Sequence, residues 1–184
     1  MNDEPKEQRK DWEAKQQKKD KVRERTEEWK TTIKTELFAM LKARLTRLEW
    51  STEAWPTSQG RQRVDILGGS TVPPYFVFIE IEADRVGCAR NIVKAWMYIE
   101  QNTDSGPVLL VSIFSPFFAS KNRSGKEEAF FVAAKAQKDT NQKLTYKYIE
   151  NDEWPVNSAQ YATVVSNMVA QIDDFITGYE RLLS

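Results

Sequence analysis

A chain of 184 residues, 40% hydrophobic and 29% charged, is long enough for one domain with a buried core. No apolar run reaches membrane-spanning length and the N-terminus is charged, so neither a membrane span nor a signal peptide is expected. A single cysteine, Cys88, excludes an internal disulfide and suits a reducing, cytoplasmic setting, while the absence of histidine excludes His-based triads, His-rich zinc sites and a histidine general base.

Formal net charge is zero, yet the charge is unevenly placed. Residues 31–64 carry six Lys/Arg against three acids, and residues 121–147 seven against three. Residues 148–184 carry only Arg181 against six acids. Local basic zones of this kind permit contact with phosphate.

Residues 1–30 hold ten Lys/Arg and nine Asp/Glu, with Trp12, Val22 and Trp29 as the large apolar side chains. Such mixed charge favours a solvated helix or disorder. A charged arm over 1–28, with helix setting in near 21–29, is expected to precede a single α/β domain over 29–184. Ile33, Leu37, Met40, Leu41, Leu45 and Leu48 then fall on one helical stripe. That helical period spans 30–50, and Pro56 and the TSQG stretch at 57–60 end the region. A short strand follows over 61–69 and a longer one over 75–83, close enough in sequence to pair antiparallel.

Helix is predicted from Cys88 to Gln101, with Ile92, Ala95, Trp96 and Ile99 as its apolar stripe. Asp104–Pro107 reads as a turn. The run PVLLVSIFSPF at 107–117 reads as a strand buried on both faces. SKNRSGK at 120–126 reads as a basic loop, followed by helix over 126–138. LTYKYIE at 144–150 alternates as a more exposed strand. After Trp154–Pro155 a last helix runs over 158–183, with Val164, Val165, Met168, Ile172, Phe175, Ile176 and Tyr179 on its apolar side. The fold expected is a central mixed sheet of about four strands flanked by helices.

One stretch stands apart. In YFVFIEIEADRVGCARNIVK, residues 75–94, Glu80 and Glu82 sit at positions i and i+2 of a strand and so project to one face. Two such acids at the end of an otherwise apolar strand repel each other and demand a cation, either a metal ion or Lys/Arg. Asp65 lies inside the preceding strand. Where the two strands are neighbours it falls beside Glu80, and three carboxylates converge at one end of the sheet. With no histidine and no cysteine cluster, a metal held there is a hard ion. Such an ion polarises a scissile phosphate and lowers the pKa of a bound water, and Glu82 is placed to orient that water or take its proton.

Asp65, followed on the next strand by Glu80-Ile81-Glu82, in a helix–strand–strand–helix–strand order, resembles the core of the PD-(D/E)xK, or restriction-endonuclease-like, nuclease superfamily. Glu-x-Glu in place of Glu-x-Lys is similar to the BamHI type of restriction endonuclease. The resemblance covers roughly residues 30–117, about half the chain. Val64, not proline, precedes Asp65, and Glu82 stands where the superfamily has its lysine.

The resemblance implies a magnesium- or manganese-dependent nuclease acting on DNA, with Asp65 and Glu80 as metal ligands and the Ile81 carbonyl as a further one. It implies that Glu82 takes the lysine's place and that Lys94, on the following helix, supplies the migrated lysine. The first helix of the superfamily often offers another acid; Glu36 is the first choice and Glu49 the second. Arg61, Arg63, Arg90, Lys121, Arg123 and Lys126 are the expected phosphate contacts. A homodimer is expected where both strands of a duplex are cut.

Each of these residues has a plainer reading. Asp65 can serve as a strand-end ion pair with Arg61, Arg63 or Arg85, and Glu80 with Glu82 as an ion network with Arg85, Arg90 and Lys94. Glu36 and Lys94 can be ordinary solvated helix residues. Cys88 reads as a small packed side chain. Trp50, Trp55 and Trp96 read as packing, with base stacking as the sharper alternative. The competing function is a catalytically inactive nuclease-like module that binds nucleic acid or a protein partner.

Overall fold

The computed structural model describes residues 6–54, 63–82, 87–102, 104, 106–121 and 123–183, and the side chains of all of these but 6–11, 119–121, 123 and 124. In chain order the elements are α1 (Lys6–Arg44), β1 (Glu49–Ala54), β2 (Val64–Thr71), β3 (Pro74–Glu82), α2 (Gly87–Gln101), β4 (Val108–Phe114), α3 (Pro116–Lys121), α4 (Arg123–Asp139), β5 (Leu144–Glu150) and α5 (Ser158–Leu183). The strands form one mixed sheet in the order β1-β2-β3-β4-β5. The first three run antiparallel to their neighbours, and β3, β4 and β5 run parallel. Parallel neighbours need a crossover, and α2 and α4 supply it.

The two faces of β3 and β4 explain why both strands are apolar almost throughout. Val77, Ile79, Val111 and Ile113 meet α1 and α5 in one core. Phe78, Leu110 and Phe114 meet α2 and α4 in the other. A strand covered by helices on both sides has no solvent face on which to place polar residues. The architecture is therefore helices on both sides of a central sheet, an α/β class.

Several boundaries differ from expectation. The sheet has five strands, because β1 joins its edge along β2. This strand, EWSTEA, is exposed at half of its positions and buries only Trp50. Trp50 lies across Gly68, where a Cβ would come within 2.7 Å of the ring. Its indole N–H donates at 2.9 Å to the Leu45 carbonyl just past the end of α1, which also accepts the Leu48 N–H at 3.3 Å. Leu45 and Leu48 are buried beyond the helix rather than within it. α1 itself continues unbroken through residues 28 and 29.

The stretch expected as a basic loop carries α3 and the start of α4. Ser115 caps the first of these by accepting the Phe118 N–H at 3.2 Å. α5 begins where expected. Asn157 accepts the Gln160 N–H at 3.0 Å, and the Gln160 side chain accepts the Val156 N–H at 2.8 Å. Among the described residues no helix is long and apolar enough to cross a membrane.

Candidate functional site

The acids lie at the end of β3 that abuts the start of α2. Glu80 and Glu82 point to the α2 side, continuing the face of Phe76 and Phe78. Both are buried, at 3% and 2% exposure, which is rare for carboxylates without partners. Lys94 reaches back from the second turn of α2 and is itself only 7% exposed. Its ammonium contacts Glu80 Oε1 and also donates to the Arg63 carbonyl at 2.7 Å. Glu82 accepts a hydrogen bond from the Asn91 side-chain amide at 3.0 Å. Gly87 opens α2 directly against it: a Cβ there would come within 2.5 Å of Glu82 Oε2.

Asp65 arrives from the other side of the sheet. In β2, Val64 packs in the α2/α4 core and Ile66 in the α1/α5 core. Residues i and i+2 of a regular strand share a face, so the pleat is broken between them. Regular β2–β3 pairing ends at Ile66–Ile79. Asp65 therefore does not stand squarely opposite Glu80. It turns toward α1, and its Oδ2 accepts the Ile81 N–H at 2.9 Å. Lys30 lies 3.3 Å from Oδ2 and Lys34 lies 3.5 Å from Oδ1. Lys34 also contacts Glu53 of β1. Glu53 has a left-handed backbone, with φ at 49°, on the strand beside the broken pleat.

The three carboxylates share one electrostatic neighbourhood. Burial pushes Glu80 up from the ordinary carboxylate range; Lys94 opposes the rise, and Asp65 and Glu82 add to it. Burial pushes Glu82 up to about 7, with Asn91 and Lys30 opposing and Asp65 adding. Asp65, Glu80, Glu82 and Glu53 thus face Lys30, Lys34 and Lys94: four carboxylates against three ammonium groups, with Glu82 held by a neutral amide alone among the described residues.

Chemically, this is a set of hard oxygen donors of the kind a divalent cation takes. Glu82 in particular is a buried acid whose partner supplies no charge. As folded here, however, lysine ammonium groups occupy the flanks of Asp65 and Glu80. Among the described residues no three acids are close enough together to hold one ion. The donors fit such an ion in kind, and Asp65 and Glu80 would receive it by exchanging lysine contacts for metal contacts.

The remaining expected site residues are distributed as follows. Ile81 enters the site through its amide N–H. Glu36 is exposed on α1, and Lys30 and Lys34 are the α1 side chains that reach Asp65. Glu49 is exposed and pairs with Gly69, at the far end of the β1–β2 ladder from the acids. Arg63 offers its carbonyl to Lys94 while its side chain is exposed, and Arg90 is exposed on α2. Lys126 forms an ion pair with Glu150 at 2.8 Å. Arg61, Arg85 and Trp55 lie outside the described residues, as do the side chains of Lys121 and Arg123. Cys88 is buried, and burial pushes its thiol up to about 12, so it is a packed side chain and no nucleophile.

Lys30, Lys34, Glu53 and Asn91 were not anticipated. Lys30 and Lys34 carry a legible signal, since they stand at i and i+4 beside the Ile33–Leu37 stripe. Comparison with family models, with curated proteins and with solved structures finds no match.

Proposed function

We propose that this chain is a metal-dependent nuclease with a restriction-endonuclease-like core, hydrolysing DNA phosphodiester bonds. The observation that carries the reading is the burial of Lys94 against Glu80, beside Asp65 and at the end of the sheet. A lysine supplied by α2 thereby stands within the acid cluster, although Glu82 occupies the position where the resembled motif has its own. The succession of one helix, three antiparallel strands, a helix and a parallel strand supports the same reading.

Asp65 and Glu80 would hold a magnesium or manganese ion, with the Ile81 carbonyl as a further donor. Such an ion, when bound, supplies charge stabilisation to the scissile phosphate and acidifies a water. Lys94 places a positive charge beside the reacting phosphate. Glu82, with its proton affinity raised to about 7, is suited to accept a proton from water near neutral pH. Lys30 and Lys34, at 32% and 20% side-chain exposure, can pass from Asp65 to a phosphate oxygen. Cutting both strands of a duplex would call for two copies of the chain.

A second reading has its own support. Asp65 and Glu80 are already neutralised by lysines, as in a nuclease-like module that binds nucleic acid without cutting it. A nuclease assay on linear, supercoiled and single-stranded DNA with magnesium or manganese decides between them. Wild type should cleave at least one substrate, and Glu80→Gln should lose about two orders of magnitude or more of that rate. Magnesium should also raise the melting temperature of wild type but not of Glu80→Gln, by the mass-action stabilisation of a bound ligand. Equal cleavage by both proteins sinks the nuclease assignment. No cleavage by either moves the weight to the binding module.

A further inference from the structure

The proposed site accounts for only one end of α1, whose N-terminal half stands clear of the core. Along one face of that half, Lys15, Lys19 and Arg23 recur at i, i+4 and i+8, all exposed, which sets them about 6 Å apart along the axis. The same face borders a cavity of about 840 Å³, walled by Trp12 at one end and by Phe117 of α3. Lys18 adds a fourth cation there against two acids, Asp20 and Glu27, a surplus of two positive charges. Asp20 is engaged by the Gln16 side chain at 3.3 Å.

A second cavity, of about 570 Å³, is lined by Lys30, Lys34, Glu53 and Asp65. Glu27, an acid, borders both cavities. Cations recur on this side of α1 from Lys15 to Arg23 and again at Lys30 and Lys34, where Asp65 and Glu53 engage them, over about 29 Å in all.

We propose that this track binds a single strand of nucleic acid, whose phosphates follow the cations from Lys15 to Arg23 and whose bases stack on Trp12 before the strand enters the acid site. Periodic cations meet a periodic polyanion. Trp12 is 65% exposed and borders the first cavity. An exposed indole of this kind receives unstacked bases, which a duplex keeps paired inside. The inference deepens the nuclease reading by naming a single-stranded segment as the substrate portion held outside the site. The nuclease reading places the strand's far end at the acids; the track itself stands on the first cavity, its surplus of two positive charges and Trp12.

The test uses the full-length chain without any divalent ion and reads the fluorescence anisotropy of labelled dT20. A duplex of the same length and a labelled poly-glutamate peptide are run beside it. Wild type should bind dT20 more tightly than either. Combined Lys15→Glu, Lys19→Glu and Arg23→Glu should weaken dT20 about tenfold or more and flatten its salt dependence. Trp12→Ala should weaken it about fivefold or more. All four positions are exposed, so circular dichroism and melting temperature should match wild type. Equal or tighter binding of the duplex, tighter binding of poly-glutamate, or unchanged dT20 affinity in the charge-reversed protein overturns the proposal. Because no metal is present, a protein that binds dT20 as described but cleaves nothing keeps the track and overturns only the nuclease reading.

Discussion

The two ends of β3 carry contrasting charge networks. At its start, Tyr75 donates from its hydroxyl to Glu180 Oε1 at 2.5 Å, and Arg47 pairs with Glu180 at 3.3 Å and with Asp173 at 2.5 Å. Arg47 and Asp173 are 38% and 44% exposed, so water shares the solvation of both charges. At the other end, Glu80, Glu82 and Lys94 are almost fully buried, and the acids around them outnumber the lysines. One network closes α5 over the sheet at little electrostatic cost. The other keeps charge where water cannot reach it, an arrangement that costs stability and that folded chains tolerate chiefly where the charge has work to do.

Removing the buried cation breaks this contrast most severely. Lys94→Met leaves Glu80 in a dry site without a cation, and unfolding by urea at pH 8 should show a loss of about 3 kcal/mol. The loss should shrink at pH 5, where Glu80 can take up a proton in place of Lys94. An equal loss at both pH values would show that Lys94 serves packing rather than charge.

Glu82→Gln should act in the opposite direction. The carboxyl titrates near its ordinary value of 4.5 when unfolded and near 7 when folded. Between these values the folded chain holds the extra proton, so the stabilisation present below the unfolded value is lost as pH rises through 7. Wild type should therefore weaken from pH 5 to pH 8, and the variant, still able to accept from Asn91, should be more stable than wild type at pH 8 by on the order of 2 kcal/mol. Denaturation at the two pH values checks this, and a variant less stable than wild type at pH 8 would show that Glu82 is already paired with a cation.

The smallest effect belongs to the other end. Arg47→Ala should cost about 1 kcal/mol or less, because its ion pairs are half exposed and screened. Urea unfolding at pH 8, run beside Lys94→Met, measures that cost. A cost as large as that of Lys94→Met would remove the distinction between the two ends.

Much of the fold could be read from residue pattern. β3, β5, α2 and α5 fall within a residue or so of expectation, because continuous apolar runs, alternation and 3.6-residue stripes each belong to one kind of element. β1 escaped that reading: EWSTEA is a short polar edge strand whose buried residue, Trp50, packs on Gly68 of the neighbouring strand and donates to the Leu45 carbonyl, and neither contact leaves a periodic pattern. α3 escaped as well, since SPFFASK carries too little pattern to distinguish a helical turn from a loop.

The site divides in the same way. Local sequence determined that two acids share the face of one strand end, that Asp65 lies on the preceding strand and that Lys94 follows on a helix. Tertiary structure decided which flank of α1 meets them. Glu36 stands two residues from Lys34, about 200° around the helix, so docking that brings Lys34 to Asp65 turns Glu36 to solvent. A helical stripe specifies the buried face but not which of its two borders meets a given strand end. That choice, and the broken pleat that turns Asp65 toward α1, depend on how the apolar faces pack. They make the difference between an open trio of acids and one guarded by lysines.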